Sequence, residues 1–469
     1  MSSARRIHFI GICGTAMATV AALLKGRGHD VRGSDQNVYP PMSDFLAGER
    51  IPIMSPFSSD HITAEIDLVV VGNAISRGNP ELEAVLEKKV RYCSLPEAIR
   101  DHFLWDARSI VIAGTHGKTT TTALTGALLT DGGLDPTVLV GGIVLGFGDA
   151  GSSYRVGRGR DFVIEGDEYD SAFFDKSAKF LKYLPDIAVI NNIEFDHADI
   201  YADLDAVRLA FRRLVNLVPR NGLLLLGADS PHAADMRQFA VSEVETFGTA
   251  SGATWRADDV RHADGVTRFT VVKAGILFGQ FESPLLGVHN VRNALAGIAV
   301  GHRVGIPADR LAAGLRAFKG IKRRLEVVGV QGGVTVLDDF AHHPTAVHET
   351  LNALRTGYPG RRIWAVFEPR SASSCRRIFQ DDFAAAFGGA DEVVIAGVFR
   401  SSLPEPERLS EERLVTDLHA RGQRARYIKE VDDIVHTIAA EHQAGDIVML
   451  MSNGGFGGIH QKLLRALAA

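Results

Sequence analysis

The chain has 469 residues, of which 46% are hydrophobic and 23% charged, so it is long enough for about three domains with buried cores. This composition excludes a peptide hormone, a disulfide miniprotein and a disordered chain. Its 51 Lys and Arg residues against 56 Asp and Glu residues give a net charge of −5. Because no overall basic field exists, we expect neither a nucleic acid nor a membrane surface as a partner.

The cysteines and the first residues bear on the compartment. Three cysteines occur, far apart and without paired spacing: Cys13, Cys93 and Cys375. Neither a disulfide framework nor a zinc knuckle is expected, and a reducing, cytoplasmic setting fits best. Arg5 and Arg6 before an apolar run superficially resemble a secretion signal. Since Gly11 and Gly14 interrupt that run, we expect a strand, a turn and a helix there, and no apolar stretch reaches the ~20 residues of a membrane span.

The first hundred residues alternate short strands and helices. IHFIG precedes a helix over Met17–Lys25, and the strands HDVRGSD and IDLVVVGNA follow, which predicts a parallel, doubly wound sheet. The Gly11–Thr15 turn follows the first strand, and Asp35 ends the second, where an acidic residue often meets a ribose hydroxyl. These features indicate a nucleotide-shaped ligand, although an ordinary tight turn without a ligand explains the glycines too.

A second β-loop-α unit begins at Ser109–Ala113, so a domain boundary is expected near Ala107. The strand runs into the loop GTHGKTT and then a helix. Backbone N–H groups of such a loop cradle phosphates, Lys118 supplies positive charge, and the Thr119 hydroxyl can bind Mg²⁺. The loop is a shortened variant of the standard pattern, and a chance match is the alternative. Its candidate phosphate-binding residues are Gly114, Thr115, His116, Gly117, Lys118, Thr119 and Thr120.

Two further strands, DFVIEGDE and DIAVINNIE, end in acidic residues. Ligands bind at the carboxyl ends of strands in open α/β sheets, so these acids are expected to face the phosphate loop, where hard oxygen ligands suit Mg²⁺. Any one of them alone is equally explained as a solvated loop acid. The candidates are Glu165, Asp167, Glu168 and Asp170 after the first strand, and Glu194, Asp196, His197 and Asp199 after the second.

The region from about 222 to 285 is β-rich, and a helix follows over residues 287–305. His289, Asn290 and Asn293 share one face of this helix and could meet a purine edge, although helix capping also explains Asn290. A third domain is expected to begin near residue 320, with strand, turn, strand and helix. The polar, proline-containing stretch 401–412 is predicted to be a surface loop, and residues 446–464 form a last strand, glycine loop and helix.

Two clusters of the third domain carry candidate chemistry. The triplet Lys322-Arg323-Arg324 is either a phosphate clamp or an exposed basic turn. Asp338-Asp339 and His342-His343 follow an apolar strand. A metal site from the two histidines is conceivable, but adjacent side chains do not point the same way.

The order of these motifs resembles that of the Mur ligase family over essentially the whole chain: GTHGKTT, EGDEYD, NNIEFDHAD, GVHNVRN, KRRLE and DDFAHHPT. The resemblance implies an α/β fold of three domains. Residues 1–106 would be a Rossmann-like domain for a UDP-sugar, and residues 107–320 a P-loop ATPase-like domain. Residues 321–469 would be a second Rossmann-like domain that binds the amine substrate and closes over ATP. The implied activity is ATP-dependent amide formation for peptidoglycan.

Four phrases resemble one branch of the family: GSDQNVYPPMSDFL, EYDSAFFDKSAKF, FEPRS and MSNGGFGGIHQKLL. That branch joins UDP-N-acetylmuramate to the tripeptide L-Ala-γ-D-Glu-meso-diaminopimelate during peptidoglycan recycling. The alternative is the sister branch, which adds L-alanine in de novo synthesis. An HRYTR-like stretch in the sister stands where this chain has residues 368–373, in the domain expected to hold the amine. The resemblance therefore implies a different amine substrate.

The resemblance also implies roles for individual residues. Lys118 would contact the ATP phosphates, Thr119 and Glu165 would bind one Mg²⁺, and His197 with Glu165 a second. Arg324 would reach the γ-phosphate, which completes a catalytic set of Lys118, Glu165, His197 and Arg324. The adenine would lie near His289, Asn290 and Asn293, and the ribose near Asp339.

The other implied residues bind the remaining substrates. His342 and Arg370 would contact the peptide, Arg370 because its guanidinium suits free carboxylates. Asn192 is expected beside the metal–phosphate cluster and in the UDP-sugar site. The UDP-sugar set is Gly11, Ile12, Cys13, Gly14, Thr15, Ser34, Asp35 and Asn192. Mg²⁺ and ATP as co-substrate are implied, with small-molecule substrates as the partners and no obligate protein partner.

Two other classes of function stay open. A phosphate-loop switch or regulatory ATPase would turn over ATP without either substrate. A nicotinamide oxidoreductase would use the first glycine turn, but it has no need of the second loop that carries Lys118.

Overall fold

The structure is a computed structural model that describes residues 4–399 and 403–468, and its contacts form two compact units. The first unit comprises the chain up to Ile143 together with Phe147–Ile193 and Val207–Thr246. The second comprises Val144–Gly146, Glu194–Ala206 and the chain from Phe247 onward. Two short segments from the middle of the sequence therefore belong, by their contacts, with the later part of the chain.

The first unit begins with a sheet of parallel strands, as the alternating pattern predicts. Its elements are β1 (Arg6–Ile10), α1 (Thr15–Gly26), β2 (Asp30–Ser34), α2 (Met42–Gly48), β3 (Ile53–Met54), β4 (Leu68–Val71), α3 (Pro80–Glu87), β5 (Tyr92–Ser94) and α4 (Leu95–Ile99). The strand order is β3-β2-β1-β4-β5 with every pair parallel. The chain reverses its direction of winding after β3, so the turn after β1 lies at the crevice where such sheets bind ligands.

The second sheet of this unit carries the phosphate loop. Its elements are β6 (Arg108–Ala113), α5 (Lys118–Asp131), β7 (Thr137–Val144), β8 (Ser152–Arg155), β9 (Asp161–Gly166), β10 (Asp170–Ala172), β11 (Asp175–Ala178), β12 (Ile187–Ile190), α6 (Leu204–Val215), β13 (Leu223–Gly227) and α7 (Pro231–Ala234). The strands run in the order β13-β12-β6-β9-β7-β8, and β6 is parallel to both β9 and β12. Because the three strands are parallel, the loops after β6, β9 and β12 emerge at one edge of the sheet.

The next strand, β14 (Glu243–Gly248), contains the boundary between the units. The second unit then has the antiparallel strands β15 (Trp255–Ala263), β16 (Val266–Lys273) and β17 (Ile276–Ser283), followed by the helices α8 (Val288–Arg303) and α9 (Ala308–Ala317). The β-rich region and the helix after it thus agree with the sequence pattern.

The rest of the second unit is a six-stranded sheet with helices on both faces. Its elements are β18 (Glu326–Gln331), β19 (Val334–Asp339), α10 (Pro344–Gly357), β20 (Ile363–Phe367), α11 (Gln380–Ala386), β21 (Glu392–Ile395), α12 (Glu411–Ala420), β22 (Arg424–Tyr427), α13 (Val431–Glu441), β23 (Ile447–Met451) and α14 (Ile459–Ala466). The order is β18-β19-β23-β20-β21-β22, and only β18 is antiparallel to its neighbour.

Alternate residues of these strands fill the two cores of this sheet. Phe367 of β20 packs with Phe383 and Phe387 on one face, and Trp364 of the same strand packs with Ile434 on the other. The carboxyl ends of β19, β23, β20 and β21 therefore form a rigid edge from which polar loops project.

The predicted loop over 401–412 is only partly within the described residues, because residues 401 and 402 lie outside them. The remainder includes a 3₁₀ turn over Glu405–Glu407 and the first turn of α12, so part of the stretch is regular. Across the described ranges, every helix is too short or too polar to cross a lipid bilayer.

Candidate active site

The phosphate loop between β6 and α5 is held by the end of β12. The N–H of His116 donates to Oδ1 of Asn192 at 2.7 Å, and Nδ2 of Asn191 donates to Oγ1 of Thr121 at 3.0 Å. Gly114 has a φ of +135°, and a Cβ there would lie 3.0 Å from the backbone nitrogen of Asn191. The loop therefore needs glycine at this position because it packs directly on the neighbouring strand end.

The other predicted loop residues extend the same cradle. The N–H of Thr115 donates to the carbonyl oxygen of Asn192 at 3.1 Å. Gly117 is the N-cap residue of α5, and Thr120 is buried in its first turn. The N–H groups at this helix N-terminus favour an anion such as a phosphate.

Lys118 is bound inside the loop and by an acid from the turn after β9. Its Nζ donates to the carbonyl oxygen of Gly114 at 2.7 Å and to the two carboxylate oxygens of Glu168 at 2.8 and 3.0 Å. Burial lowers the pKa of Lys118, but the charges of Glu168, Asp167 and Glu165 outweigh it and raise that pKa above its ordinary value. The lysine is therefore a fixed positive charge at physiological pH.

Glu165 of β9 bonds residues of both α5 and β7. Its Oε1 accepts from Oγ1 of Thr119 at 3.0 Å, and its Oε2 accepts from the N–H of Gly141 at 2.6 Å. A hydroxyl and a carboxylate in contact are hard oxygen donors of the kind that Mg²⁺ prefers, so these two residues fit that ion. Gly141 was not predicted, since nothing in its local sequence marks it.

The acids after β9 divide into two sets. Glu165 and Glu168 contact the phosphate loop, as expected from their position at the strand end. Asp167 instead pairs with Lys179, and Asp170 with Lys176, each at 2.6 Å. Sequence reasoning placed Glu168 in this group but gave it no role of its own.

The glycine turn after β1 is held by the end of β2 and leads into α1. The N–H groups of Gly11 and Ile12 donate to the carbonyl oxygen of Ser34 at 2.8 and 3.0 Å, and the N–H of Cys13 donates to Oδ2 of Asp35 at 2.9 Å. Burial and the Asp35 charge raise the pKa of the Cys13 thiol to about 11. Gly14 and Thr15 follow as the N-cap and first residue of α1. The turn thus lies at a helix N-terminus, where a diphosphate is favoured.

A buried polar cluster supports this turn from below. Oε2 of Glu81 accepts from Oγ of Ser34 at 2.5 Å and lies 2.9 Å from Nε2 of His8, while its Oε1 lies 2.7 Å from Nδ1 of His61. Burial raises the pKa of Glu81, but the bonds to His8, Ser34 and His61 outweigh it and lower that pKa. The Ser34 side chain is fully buried and bonds Glu81, so Ser34 is held in place beneath the turn. Glu81 was not predicted from the sequence.

The second unit brings together three residues predicted around ATP. Asp339, at the end of β19, accepts from the N–H groups of Leu325 and Ala341 at 2.7 and 2.8 Å. Burial raises the pKa of Asp339, although the charges of Arg324 and His289 oppose this. Arg324 and His289 therefore each lie within electrostatic reach of Asp339.

The amides of α8 are bound to one another. Nδ2 of Asn290 donates to the carbonyl oxygen of Leu286 at 2.7 Å, and Nδ2 of Asn293 donates to Oδ1 of Asn290 at 3.1 Å. The two amides share a face, as their spacing predicts. Nearby, Nδ1 of His289 lies 3.7 Å from Oε2 of Glu349 on α10.

The basic triplet after residue 321 has divided roles. Nη2 of Arg323 donates to the carbonyl oxygens of Ser452 and Gly454, and Nε donates to Asp338 at 3.1 Å. Arg323 is therefore a structural residue. The Arg324 guanidinium lies 4.9 Å from the centre of the Phe340 ring.

The two adjacent histidines contact different partners. Nδ1 of His342 lies 2.9 Å from the carbonyl oxygen of Phe340, and Nε2 of His343 lies 3.1 Å from that of Phe195. Nδ1 of His343 also accepts from the N–H of Thr345 and so caps α10. The two imidazole rings thus bond different carbonyl groups.

His197 lies beside a buried aspartate. Its N–H donates to Oδ1 of Asp196 at 2.7 Å, and Oγ of Ser373 donates to the same oxygen at 2.5 Å. Burial raises the pKa of Asp196, but His197, His342, His343 and the Ser373 hydroxyl outweigh it and hold that pKa well below its usual range. Asp196 is therefore an anion in the folded chain.

Arg370 lies at the carboxyl edge of the six-stranded sheet. Its guanidinium is 3.6 Å from the centre of the Phe399 ring, and its Nη1 is 3.5 Å from Oε1 of Glu368. Oε2 of Glu368 accepts from Oγ of Ser452 at 2.5 Å. A Cβ on Gly454 would lie only 2.0 Å from Nε of Arg370, so the arginine crosses the backbone there. Gly454 and Phe399 were not predicted.

Three family models match the chain in succession. "Mur ligase family, catalytic domain" covers residues 6–104, "Mur ligase middle domain" covers 112–301, and "Mur ligase, glutamate ligase domain" covers 323–454. The chain belongs to the Mur ligase family. This assignment confirms the predicted three-domain α/β architecture and the ATP-dependent ligase activity. The domain limits at 106 and 320 and the roles of the site residues stay predictions.

Similar Mur ligases extend over the whole chain. The UDP-N-acetylmuramate–L-alanyl-gamma-D-glutamyl-meso-2,6-diaminoheptandioate ligase of Haemophilus influenzae is 41% identical over 99% of both chains. A UDP-N-acetylmuramate–L-alanine ligase of Salinibacter ruber is 38% identical, over 96% of this chain and 92% of its own. The crystal structure of a murein peptide ligase from Psychrobacter arcticus superposes with a TM-score of 0.72 at 36% identity, over 99% of each chain.

Proposed function

We propose that this Mur ligase joins UDP-N-acetylmuramate to the tripeptide L-Ala-γ-D-Glu-meso-diaminopimelate and releases ADP and phosphate. The observation that carries the proposal is the 41% identity, over 99% of the chain, to the Haemophilus influenzae ligase named for this reaction. Arg370 adds chemical support, because a guanidinium at the carboxyl edge of the last sheet suits a peptide with free carboxylates. The alternative substrate is L-alanine.

The first step activates the sugar carboxylate. An oxygen of the lactyl carboxylate attacks the γ-phosphorus of ATP, the bond to the β-phosphate oxygen breaks, and ADP leaves an acyl phosphate. Lys118 neutralises phosphate charge, and Arg324 has the same role at the γ-phosphate. Thr119 and Glu165 would hold one Mg²⁺, and His197 with Glu165 would hold a second. When bound, these ions supply additional positive charge for the phosphate oxygens.

The second step forms the amide. The free amine of the peptide attacks the acyl carbonyl carbon, the nitrogen of the resulting tetrahedral intermediate loses a proton to solvent, and the intermediate expels phosphate. Arg370 and His342 orient the peptide for this attack. Excluding water from the acyl phosphate prevents its hydrolysis, which is the role we assign to the C-terminal region.

The remaining roles are recognition of the two nucleotides. His289, Asn290 and Asn293 would contact the adenine and Asp339 the ribose. The UDP diphosphate would lie on the turn Gly11–Thr15, beside Asp35, with Asn192 near the sugar. We assign the reaction to the cytoplasm, where ATP is available and free cysteines persist, and expect no nucleic acid, membrane or obligate protein partner.

The test is phosphate release from Mg·ATP with UDP-N-acetylmuramate plus either the tripeptide or L-alanine at equal concentration. We expect release only when the sugar nucleotide and an amine are both present, with a higher kcat/KM for the tripeptide. Preference for L-alanine would establish the alternative, and release without either substrate would establish a regulatory ATPase.

A variant separates the two nucleotide sites. Lys118→Ala should abolish phosphate release and leave the binding of UDP-N-acetylmuramate in calorimetry nearly unchanged, because Lys118 bonds the phosphate loop and Glu168. Equal loss of turnover and sugar-nucleotide binding would contradict the assignment of separate sites.

A further inference from the structure

Residues 194–197 pack on the C-terminal part of the chain, although they follow β12 of the earlier sheet. Oγ1 of Thr345 donates to Oε2 of Glu194 at 2.6 Å, and His343 contacts the carbonyl oxygen of Phe195. The ring of Phe195 stacks on that of Phe379 with centroids 5.9 Å apart. These contacts all lie within the second unit, so the segment that carries His197 is part of that unit.

Asp196 links Ser373 to His197, the proposed Mg²⁺ ligand. One of its oxygens, Oδ1, accepts both from Oγ of Ser373 at 2.5 Å and from the N–H of His197 at 2.7 Å. The Asp196 and Ser373 side chains are only 4% and 3% exposed, so water does not compete for this pair. A hydrogen bond to a buried carboxylate is stronger than one between neutral groups.

Ser373 belongs to the turn that carries Arg370. Oγ of Ser374 accepts from the N–H groups of Arg370 and Ser371 at 3.0 and 2.9 Å, and it also bonds Oγ of Ser371. The turn is therefore internally rigid from Arg370 to Ser374. A shift of Arg370 would therefore also move Ser373.

The hydrogen bonds from Ser373 to Asp196 continue to His197. Its φ is +52°, a conformation that is uncommon outside glycine, and its N–H is bonded to the oxygen that Ser373 also contacts. The backbone at His197 is thus bonded to the same Asp196 carboxylate that anchors the turn of Arg370.

We propose that Asp196 and Ser373 are positioning residues that couple the peptide-binding turn to the metal-binding segment, so that the peptide and Mg²⁺ strengthen each other's binding. The proposal rests on the proposed function, because it uses the roles given there to Arg370 and His197. Coupling between two sites is reciprocal, so it should appear from either ligand.

The experiment measures the half-saturating free Mg²⁺ concentration for phosphate release at several tripeptide concentrations, with ATP and the sugar nucleotide fixed. For the wild-type enzyme we expect this concentration to fall as the tripeptide is raised. In Ser373→Ala it should no longer depend on the tripeptide, and the KM for the tripeptide should rise about tenfold, as expected for loss of a buried hydrogen bond to a charged group. The KM for UDP-N-acetylmuramate should not change.

Ser371→Ala is the matched control. It removes a hydroxyl from the same turn that contacts Ser374 and not Asp196, so we expect lower thermal stability with the Mg²⁺–tripeptide dependence retained. In an Asp196→Ala background, Ser373→Ala should add little, because the acceptor of its hydroxyl is already gone.

Three results would overturn the proposal. One is Ser373→Ala with a lower melting temperature but wild-type Mg²⁺ and tripeptide dependence, which is the outcome of a purely structural role. The second is an equal effect of Ser373→Ala in the presence and absence of Asp196. The third is loss of coupling in Ser371→Ala as well. Failure of the proposed function is distinct, since the wild-type enzyme would then release no phosphate with the tripeptide. If it used L-alanine, the same titrations would be made with that amine.

Discussion

The carboxylate of Glu168 binds the Lys118 ammonium through both of its oxygens, at 2.8 and 3.0 Å. A nucleotide phosphate that reaches Lys118 must displace Glu168 or share the ammonium with it. Glu168→Gln keeps the size of the side chain and removes its charge, so we expect Mg·ATP to bind several-fold more tightly in calorimetry, since a neutral hydrogen bond is weaker than a charged one.

Asp170→Asn is the control for this substitution. Asp170 lies in the same turn region but pairs with Lys176, so its neutralisation should leave ATP affinity unchanged. Weaker ATP binding by Glu168→Gln would show that Glu168 assists the nucleotide rather than competing with it.

The second prediction concerns Glu165 as a proposed Mg²⁺ ligand. Because its two oxygens contact Thr119 and Gly141, Glu165→Ala removes a carboxylate that bonds the Thr119 hydroxyl. We expect the enzyme to lose activity or to require more Mg²⁺, measured as the half-saturating free Mg²⁺ concentration. A wild-type magnesium titration in this variant would remove Glu165 from the metal site.

Gly454 tests the role of Arg370 without altering it. A Cβ at this position would meet Nε of Arg370, so Gly454→Ala should push the guanidinium away from Phe399 and raise the KM for the tripeptide. The KM for ATP should not change. Gly455→Ala is the matched control, since a Cβ there would meet no described atom within 4 Å. If both variants gave the wild-type KM, Arg370 would not bind the peptide in this position.

Glu81 tests the support of the sugar-nucleotide turn. Glu81→Ala leaves the buried Ser34 hydroxyl and His8 without their acceptor, and Ser34 holds the turn through its carbonyl oxygen. We expect the Kd for UDP-N-acetylmuramate to rise roughly tenfold in calorimetry, together with a lower melting temperature. Glu83→Ala, on the same helix but paired with Arg77 at the surface, should leave the Kd unchanged. A loss of stability alone would limit Glu81 to a structural role.

Glu349 predicts a pH dependence of stability. Burial raises its pKa, but His289 and Arg292 outweigh this and lower it from 4.5 to about 2. Since the folded-state pKa is the lower one, the stabilisation is present above pH 4.5 and is lost as the pH falls towards 2. The melting temperatures of the wild-type chain and of Glu349→Gln should therefore differ near neutrality and converge at acid pH. If the melting temperatures of the two proteins followed pH in parallel, the ion pairs of Glu349 with His289 and Arg292 would contribute nothing to stability.

Local patterns predicted the elements and the loops that carry the site. The apolar run before GTHGKTT defined β6, and the glycines and lysine after it defined the phosphate loop, because both depend on neighbours in sequence. Glu165 was predicted for the same reason, since a strand end fixes where its side chain emerges.

Contacts between distant residues were not predictable in this way. Glu81 and Glu83 lie two residues apart on α3, yet the first is fully buried and the second forms a surface ion pair. The positions of His8, Ser34 and His61, which are distant in sequence, decide between them. The bond from Ser373 to Asp196 likewise joins residues 177 positions apart, and the spacing within either motif contains no information about the other.

The grouping of Glu194–Ala206 with the later part of the chain has a consequence for chimaeras within the family. A single crossover near residue 320 would give Ser373, His343 and Phe379 a foreign sequence in place of the segment they contact. Exchanging the C-terminal region between two Mur ligases therefore requires a second graft that carries residues 194–206 with it.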